Sequence, residues 1–115
     1  MKDLIAYKVL TADQMHQLEQ TGGFAGAPAD LADGFIHLST AAQLGATVDR
    51  HFAGATGLWV AAIDLAAFGD SVKWEKSRGG ELFPHLYDVL MLSAVIASGP
   101  LTRDSDGAVD LPTAG

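Results

Sequence analysis

The residues best suited to chemistry in this sequence begin with a histidine set between aliphatic residues. In "ADGFIHLSTAAQ", at residues 32–43, an apolar run carries His37 and ends on Ser39 and Thr40. Because side chains alternate along a strand, His37 and Ser39 share one face with Phe35. An imidazole titrates near neutral pH, so His37 is a candidate acid or base beside a hydroxyl group. The alternative is a core histidine bonded to a backbone carbonyl, which is the commoner role of a lone strand histidine.

A second stretch, "KWEKSRGGELFPHLYD" at residues 73–88, combines charge, glycine and another histidine. If its second half is extended, His85 and Tyr87 lie on one face. We predict that one polar pocket, with Phe35 and Tyr87 as its apolar wall, is lined by His37, Ser39, Glu75 and His85. The alternative for His85 is a turn-capping histidine at the surface. Because these residues belong to different strands, the pocket is a prediction about the fold.

The same stretch carries a local cluster of positive charge. Lys73, Lys76 and Arg78 fall within six positions of a chain whose formal net charge is −7. A basic cluster on an acidic protein favours a small anion over a polymer. The negative total argues against binding along a nucleic-acid backbone. We therefore expect Lys76 and Arg78 to bind a small anionic or phosphorylated ligand, and the alternative is a solvated hairpin loop.

Two capping boxes and the apolar pattern predict the elements that position these side chains. Thr11 with Gln14, and Thr40 with Gln43, have the spacing at which a helix begins. We predict strands over residues 4–10, 34–39, 57–65, 71–76 and 87–96, helices over 12–20 and 41–52, and a loop at 21–30. This order predicts a single compact α+β domain with a mainly antiparallel or mixed sheet. The strand at 57–65 is nearly all apolar, so we expect it to be buried on both faces.

Length and composition set further limits. With 115 residues, of which 49% are hydrophobic, the chain fits one domain, which we place at residues 1–98. Residues 99–115 are small, polar and rich in turn formers, so we expect a flexible C-terminal tail. The absence of cysteine excludes thiol catalysis and disulfides and favours a cytoplasmic location. We expect no signal peptide, no membrane span and, without tight ligand spacing, no metal site.

At "DGFIHLST" and "KWEKSRGGELFPHLY" the sequence resembles a bacterial and plant family catalogued as domain of unknown function 952. The resemblance runs from the first strand to about Ile96. It implies an ADP-ribosyltransferase-like fold, in which a split, mixed and mainly antiparallel β-sheet with short helices surrounds a nicotinamide-nucleotide cleft. The strand "FIHLS" is also similar to the His-Leu-Ser strand of RNA 2′-phosphotransferases, which use NAD. The resemblance therefore makes NAD a candidate cofactor.

The resemblance also implies roles for the matching residues. Glu75 would hold a ribose 2′-hydroxyl and stabilise an oxocarbenium-like transition state, with Glu81 as the alternative carboxylate. His37 would bond a ribose or substrate hydroxyl, so Glu75 and His37 are the candidate catalytic residues. Ligand contacts are expected from Lys8, Ser39, Thr40, Lys76, Arg78, His85 and Tyr87.

One position departs from the family pattern. The family usually carries a Tyr-His pair in the first strand, where fold relatives place a nucleotide-contacting histidine, and this chain has Tyr7 and Lys8. A lysine would hold a phosphate or carboxylate as a point charge. Two functions follow as expectations. One is an ADP-ribosyltransferase-like transferase or glycohydrolase acting on NAD, ADP-ribose or another phosphorylated small molecule. The other is a non-catalytic ligand-binding or protein-interaction module that retains the fold.

Overall fold

The computed structural model describes residues 4–112, with the side chain of Arg78 outside the description. In this range the strands are β1 (Ile5–Thr11), β2 (Gly23–Phe24), β3 (Ile36–His37), β4 (Leu58–Asp64), β5 (Val72–Lys76), β6 (Leu82–Leu86), β7 (Leu90–Met91) and β8 (Val95–Pro100). The α-helices are α1 (Ala12–Thr21), α2 (Pro28–Asp33) and α3 (Ala41–His51). Within the described part of the chain, no helix has the length and apolar composition of a membrane span.

Both predicted capping boxes are present and begin α1 and α3. The Gln14 N–H donates to the Thr11 hydroxyl at 3.1 Å, and the Gln14 side chain accepts from the Thr11 N–H at 2.9 Å. The corresponding distances between Thr40 and Gln43 are 3.2 and 3.0 Å. These bonds satisfy backbone N–H groups that have no partner inside the helix. The predicted starts of both helices are therefore confirmed.

Antiparallel pairing arranges the strands in three small sheets. Their strand orders are β1-β4-β8, β3-β6-β5 and β2-β7. The Tyr7 N–H donates to the Ser39 carbonyl at 2.7 Å, and the Ser39 N–H donates to the Tyr7 carbonyl at 2.9 Å, which joins β1 to the chain just beyond β3. The prediction of one compact α+β domain is confirmed. Every strand pairing among residues 4–112 is antiparallel, so the predicted mixed character is not seen in this range.

β4 is the central strand of the first sheet, and its burial explains its apolar sequence. Residues 60–63 are each at most 3% exposed. Ile63 belongs to the main hydrophobic cluster, which also contains Leu86 of β6. Val60 belongs to a second cluster with Leu44 of α3. The predicted burial of this strand on both faces is confirmed. Because Leu86 belongs to the main cluster, the face of the sheet β3-β6-β5 that carries Leu86 is its inner face.

The loop predicted at residues 21–30 is wrong in part, because it contains β2 and the start of α2. Pro28 occupies the first turn of α2, where an N–H is not needed. The Asp30 carboxylate accepts from the Ala27 N–H at 2.8 Å. Gly34 ends the helix with a φ of +86°, which glycine adopts without strain. Proline at the start and glycine past the end were the sequence signals for this short helix.

Two predicted strands differ from the structure. The strand predicted at 34–39 is reduced to β3 and an isolated bridge from Ser39 to β1. The long strand predicted at 87–96 is wrong in part, because residues 87–89 are not strand and the 3₁₀ turn Leu92–Ala94 separates two shorter strands. β7, a 3₁₀ turn and β8 then follow in succession. A continuous apolar run does not distinguish one buried strand from several short ones.

The C-terminal segment lies against the rest of the domain. The predicted domain boundary falls inside β8. Beyond β8, Leu101 and Val109 pack against the second cluster. The guanidinium of Arg103 donates to the Asp49 carboxylate of α3 at 2.7 Å. The flexibility of residues 99–115 stays a prediction. Removal of the residues that make these contacts tests it.

Ending the chain after Pro100 is expected to lower the free energy of unfolding by about 1–3 kcal/mol, because the burial of Leu101 and Val109 is lost. Denaturant unfolding measures the change. A chain that ends after Pro112 is the matched control, since it retains both contacts. Equal stability of the two chains would show that the segment is a flexible tail that contributes nothing to the core.

Candidate functional site

The outer face of the sheet β3-β6-β5 carries the two histidines that the sequence singles out. β3 pairs with β6 so that His37 stands opposite His85, and β5 places Lys73 opposite His85 on the other side. The two imidazole centroids are 5.8 Å apart. The next residue of β6, Leu86, points into the core. The structure therefore brings the two histidines together on one face.

A buried carboxylate holds His37 in place. The Nδ1 atom of His37 lies 2.6 Å from Asp30 Oδ1, and the His37 backbone N–H donates to the same oxygen at 3.1 Å. Asp30 is 3% exposed. A buried carboxylate on one ring nitrogen fixes the orientation of an imidazole, as it does in acid–base sites. Asp30 was not among the predicted site residues, and its position two residues after Pro28 in a helix-starting pattern was the available signal.

Lys8 balances the charge of Asp30. Its ammonium nitrogen lies 2.9 Å from Oδ2 and 3.2 Å from Oδ1 of Asp30, and both side chains are buried. Burial opposes ionisation of Asp30, but the hydrogen bond from His37, the charge of Lys8 and a backbone N–H outweigh it and hold the pKa well below its usual range. Burial lowers the pKa of Lys8, against the opposing effect of Asp30. Lys8, predicted as a ligand contact, thus has its ammonium in an internal ion pair.

A second carboxylate contacts the other ring nitrogen of His37. Asp33 Oδ2 lies 2.8 Å from Nε2. A neutral imidazole has one N–H, so His37 donates to both carboxylates only as an imidazolium. The side chain of Asp33 is 55% exposed and that of Asp30 is 2% exposed. The contact with Asp33 is therefore the one that a ligand can displace.

The second histidine has a carboxylate of its own. Nδ1 of His85 lies 2.9 Å from Glu75 Oε1, and the Tyr87 hydroxyl donates to the same oxygen at 2.7 Å. The hydrogen bonds from Tyr87 and His85 lower the pKa of Glu75, and the contact with Glu75 raises the pKa of Tyr87. The Glu75 side chain is 41% exposed. Its ionised carboxylate is accessible from solvent.

Phe35 covers the two histidines. Its ring stacks on His85 with centroids 4.0 Å apart, and it lies 4.7 Å from His37 and 5.3 Å from Tyr87. The Lys73 ammonium lies 5.6 Å from the centroid of the Tyr87 ring, where a cation is attracted to an aromatic face. His85 is buried by these neighbours, while His37 stays partly accessible. We call this group the histidine cluster, and its members are Asp30, Phe35, His37, Glu75, His85 and Tyr87.

Ser39 and Thr40, which were expected to contact a ligand, have structural contacts. The Ser39 hydroxyl lies 2.8 Å from the Thr47 hydroxyl of α3. Thr40 is the N-cap of α3, and both Ser39 and Thr40 are buried. Their described contacts connect the end of β3 to α3, and none of them reaches the histidine cluster.

The predicted basic cluster is divided along the sheet, because Lys73 stands opposite His85, whereas Lys76 and the backbone of Arg78 lie at the hairpin end. Lys76 ends β5, where it is exposed and stands opposite Leu82 of β6. The backbone of Arg78 belongs to the β5–β6 hairpin, at residues 77–81, and its side chain lies outside the described residues. Glu81, the alternative carboxylate, is exposed in this hairpin. Glu75, and not Glu81, is therefore the glutamate of the histidine cluster.

A cleft of about 310 Å³, the first cleft, opens beside the histidine cluster. Asp30 and Phe35 form part of its wall, together with the exposed side chains of Leu31 and Val89 and with Asp88. Apolar walls with a few converging polar groups are the usual composition of a small-molecule site. The first cleft is thus the place where a ligand could meet the histidine cluster.

The cluster offers hydrogen bonds and proton transfer. His37 can donate or accept a proton at Nε2 when Asp33 is displaced. The accessible carboxylate of Glu75 can accept hydrogen bonds from hydroxyl groups of a ligand. Within residues 4–112, no three side chains of the metal-ligating types are grouped closely enough to hold a metal ion.

The pair of Lys8 and Asp30 is expected to be necessary for full stability. Replacing Asp30 by Asn should lower the free energy of unfolding by about 3–5 kcal/mol, because Lys8 would stay buried without a counter-charge. The double variant Lys8→Met, Asp30→Asn removes both charges and should recover part of the loss. Denaturant unfolding of the two single variants and the double variant measures the coupling. Losses that simply add would show that the two side chains do not interact.

Asp30 also predicts how stability depends on pH. Its pKa is lower in the folded chain than in the unfolded chain, so unfolding in acid takes up a proton and stability falls as the pH falls. This contribution is fully present above about pH 5 and decreases as the pH falls through the unfolded value of about 3.9 towards the folded one. The difference in unfolding free energy between wild type and Asp30→Asn should therefore narrow below about pH 5. A difference that stays constant down to about pH 3 would contradict this assignment.

Comparisons with known proteins identify relatives of the chain. The crystal structure of protein CC0527 from Caulobacter crescentus is 40% identical, has a TM-score of 0.84, and the match covers 93% of this chain and 94% of that chain. The crystal structure of a double mutant of the same protein is also 40% identical, with a TM-score of 0.83 and the same coverage. Its solution NMR structure is 39% identical, with a TM-score of 0.78 and coverage of 93% and 91%.

The family comparison covers most of the sequence. No curated protein matches the sequence. The model of a family described as protein of unknown function (DUF952) matches residues 9–98. This range contains the histidine cluster and all of the strands from β2 to β7. The chain therefore belongs to the DUF952 family.

Proposed function

We propose that the chain binds a nucleotide-type small molecule, such as NAD, ADP-ribose or another phosphorylated ligand, beside the histidine cluster. The observation that carries the proposal is the pair of cross-strand imidazoles, His37 and His85, each held by its own carboxylate. Asp30, which contacts His37, and Phe35, which stacks on His85, line the first cleft of about 310 Å³. Packing alone would favour aliphatic side chains at both positions, because each buried polar group needs a hydrogen-bond partner.

The groups of the cluster match the parts of such a ligand. The accessible carboxylate of Glu75 suits the hydroxyl groups of a ribose. Phe35 stacks on His85 and also lines the first cleft, where its ring can contact a planar base. Nε2 of His37 supplies a further polar contact once Asp33 is displaced. These groups together distinguish a nucleoside from a purely apolar ligand.

The sequence resemblance supports the same proposal at the level of the fold. Three small antiparallel sheets with short helices are compatible with the ADP-ribosyltransferase-like fold that the resemblance implies. In that fold a nicotinamide nucleotide occupies a cleft between the parts of a split sheet. On this basis NAD is the candidate cofactor, and the cytoplasm is the expected location.

If the chain is an enzyme, Glu75 and His37 are the candidate catalytic residues. The ionised Glu75 would stabilise the positive charge that develops on the ribose as a glycosidic bond breaks. His37 would donate or accept a proton at Nε2. Transfer of ADP-ribose and hydrolysis of an N-glycosidic bond are both reactions of this type.

Ligand binding without catalysis is the second candidate, and the environment of Lys8 favours it. Lys8 stands where the family usually carries a histidine, and its ammonium is held by Asp30. It is therefore not free to contact a nucleotide from the first strand. Release of nicotinamide from NAD separates the two candidates, because only the enzyme would produce it.

A thermal-shift screen with NAD, ADP-ribose, AMP and adenosine tests binding. A ligand at a hundred times its dissociation constant should stabilise the folded chain by about 2.7 kcal/mol. Glu75→Gln should remove most of this stabilisation, because it removes the ionised carboxylate that would accept hydrogen bonds from the ribose hydroxyl groups. Glu19→Gln, on the exposed surface of α1, is the matched control and should retain it.

Two outcomes count against the proposed function. One is the absence of a shift with all four probes. The other is an equal shift in Glu75→Gln and Glu19→Gln, which would place any binding away from the histidine cluster.

A further inference from the structure

A second cleft, of about 250 Å³, lies between α3 and the β5–β6 hairpin. The helix contributes Gln43, Thr47 and Arg50 to its lining, and the hairpin contributes Gly79 and Glu81. The three helix residues follow one another at intervals of four and three, so they lie on one face of α3. This face is therefore the helical wall of the second cleft.

The polar groups of this wall are not equally available to a ligand. The Gln43 side-chain amide donates to the Leu82 carbonyl at 2.8 Å, which fixes α3 against the start of β6. The Thr47 hydroxyl contacts Ser39. Arg50 forms no ion pair with any residue that the structure describes. Its guanidinium is thus the cation of this cleft that has no described partner.

The facing hairpin leaves room for a ligand to approach its backbone. Gly79 and Gly80 have φ values of +67° and +78°, which glycine adopts without strain. Apart from the adjacent residues, no described atom lies within 4 Å of the position that a Cβ would take at either glycine. Lys76, at the base of the hairpin, is exposed but stands opposite Leu82 and does not line the second cleft. The backbone of the hairpin and the guanidinium of Arg50 are therefore both accessible to a ligand in the second cleft.

We propose that Arg50 and the β5–β6 hairpin bind the phosphoryl group of a small molecule in the second cleft. A guanidinium presents parallel N–H groups that match phosphate geometry. Glu81 shares the cleft, so a phosphoryl group enters against the repulsion of one carboxylate. The formal net charge of −7 disfavours a polyanion such as nucleic acid and leaves a small phosphorylated molecule as the ligand.

The inference rests on the proposed function, which accounts for the nucleoside part of the ligand. It adds a binding site for the phosphoryl group of the same ligand. Phe83 lines the second cleft and precedes His85 by two residues on the same face of β6. Residues two apart on a strand are separated by roughly 7 Å. A ribose at Glu75 and a phosphoryl group at Arg50 would then be bound along one strand.

Titration of the ¹⁵N-labelled chain with inorganic pyrophosphate, followed by NMR, tests the inference. The amide signals of Gly79 and Gly80 and the Nε–H signal of Arg50 should shift with one dissociation constant. Arg50→Gln should weaken binding at least about tenfold, which corresponds to about 1.4 kcal/mol. Glu81→Gln should strengthen binding, because it removes the opposing charge.

Arg103→Gln is the matched control. This variant also loses one positive charge, but Arg103 pairs with Asp49 and does not line the second cleft. The affinity of Arg103→Gln for pyrophosphate should therefore equal that of wild type. Unchanged affinity in a folded Arg50→Gln variant overturns the inference, as does pyrophosphate that leaves the Gly79 and Gly80 signals unmoved. The proposed function fails separately, when ADP-ribose leaves the imidazole signals of His37 and His85 unmoved.

Discussion

One buried carboxylate connects the segments that form the histidine cluster. Asp30 accepts from Lys8 of β1, from the Ala27 N–H at the start of α2, and from the backbone and ring of His37 in β3. A buried charge is costly unless it is paired and hydrogen-bonded, so this carboxylate is satisfied only when all three segments are in place. The position of His37 is therefore a consequence of how β1, α2 and β3 pack together.

The charges of the outer sheet face are distributed unevenly along β6. At the histidine cluster, the accessible carboxylates of Asp33 and Glu75 are satisfied by imidazole and phenol groups. At the second cleft, Arg50 of α3 supplies accessible positive charge, with Glu81 of the hairpin beside it. A ligand with hydroxyl groups at one end and a phosphoryl group at the other would therefore bind in one direction only.

Local signals predicted the elements well, and tertiary contacts account for what they missed. The boxes at Thr11 and Thr40 were recognised because each depends on bonds within three residues. The breaks within residues 87–96 depend on pairing with distant strands, which an apolar run does not reveal. Alternation grouped His37 with Phe35 and His85 with Tyr87, and it is the pairing of β3 with β6 that brings the two histidines together. The ion pair of Lys8 with Asp30 was missed, because it spans 22 positions and leaves no local pattern.

The brevity of α2 has a consequence for how the first cleft opens. With six residues, α2 is too short to be stable without tertiary contacts. Its first turn is anchored through Asp30, whereas its last turn carries Asp33 and contacts His37 only at the surface. Loss of that surface contact would fray the last turn and leave the anchor intact. The first cleft would thus widen when the last turn of α2 at its rim unfolds, while the paired strands of its floor stay in place.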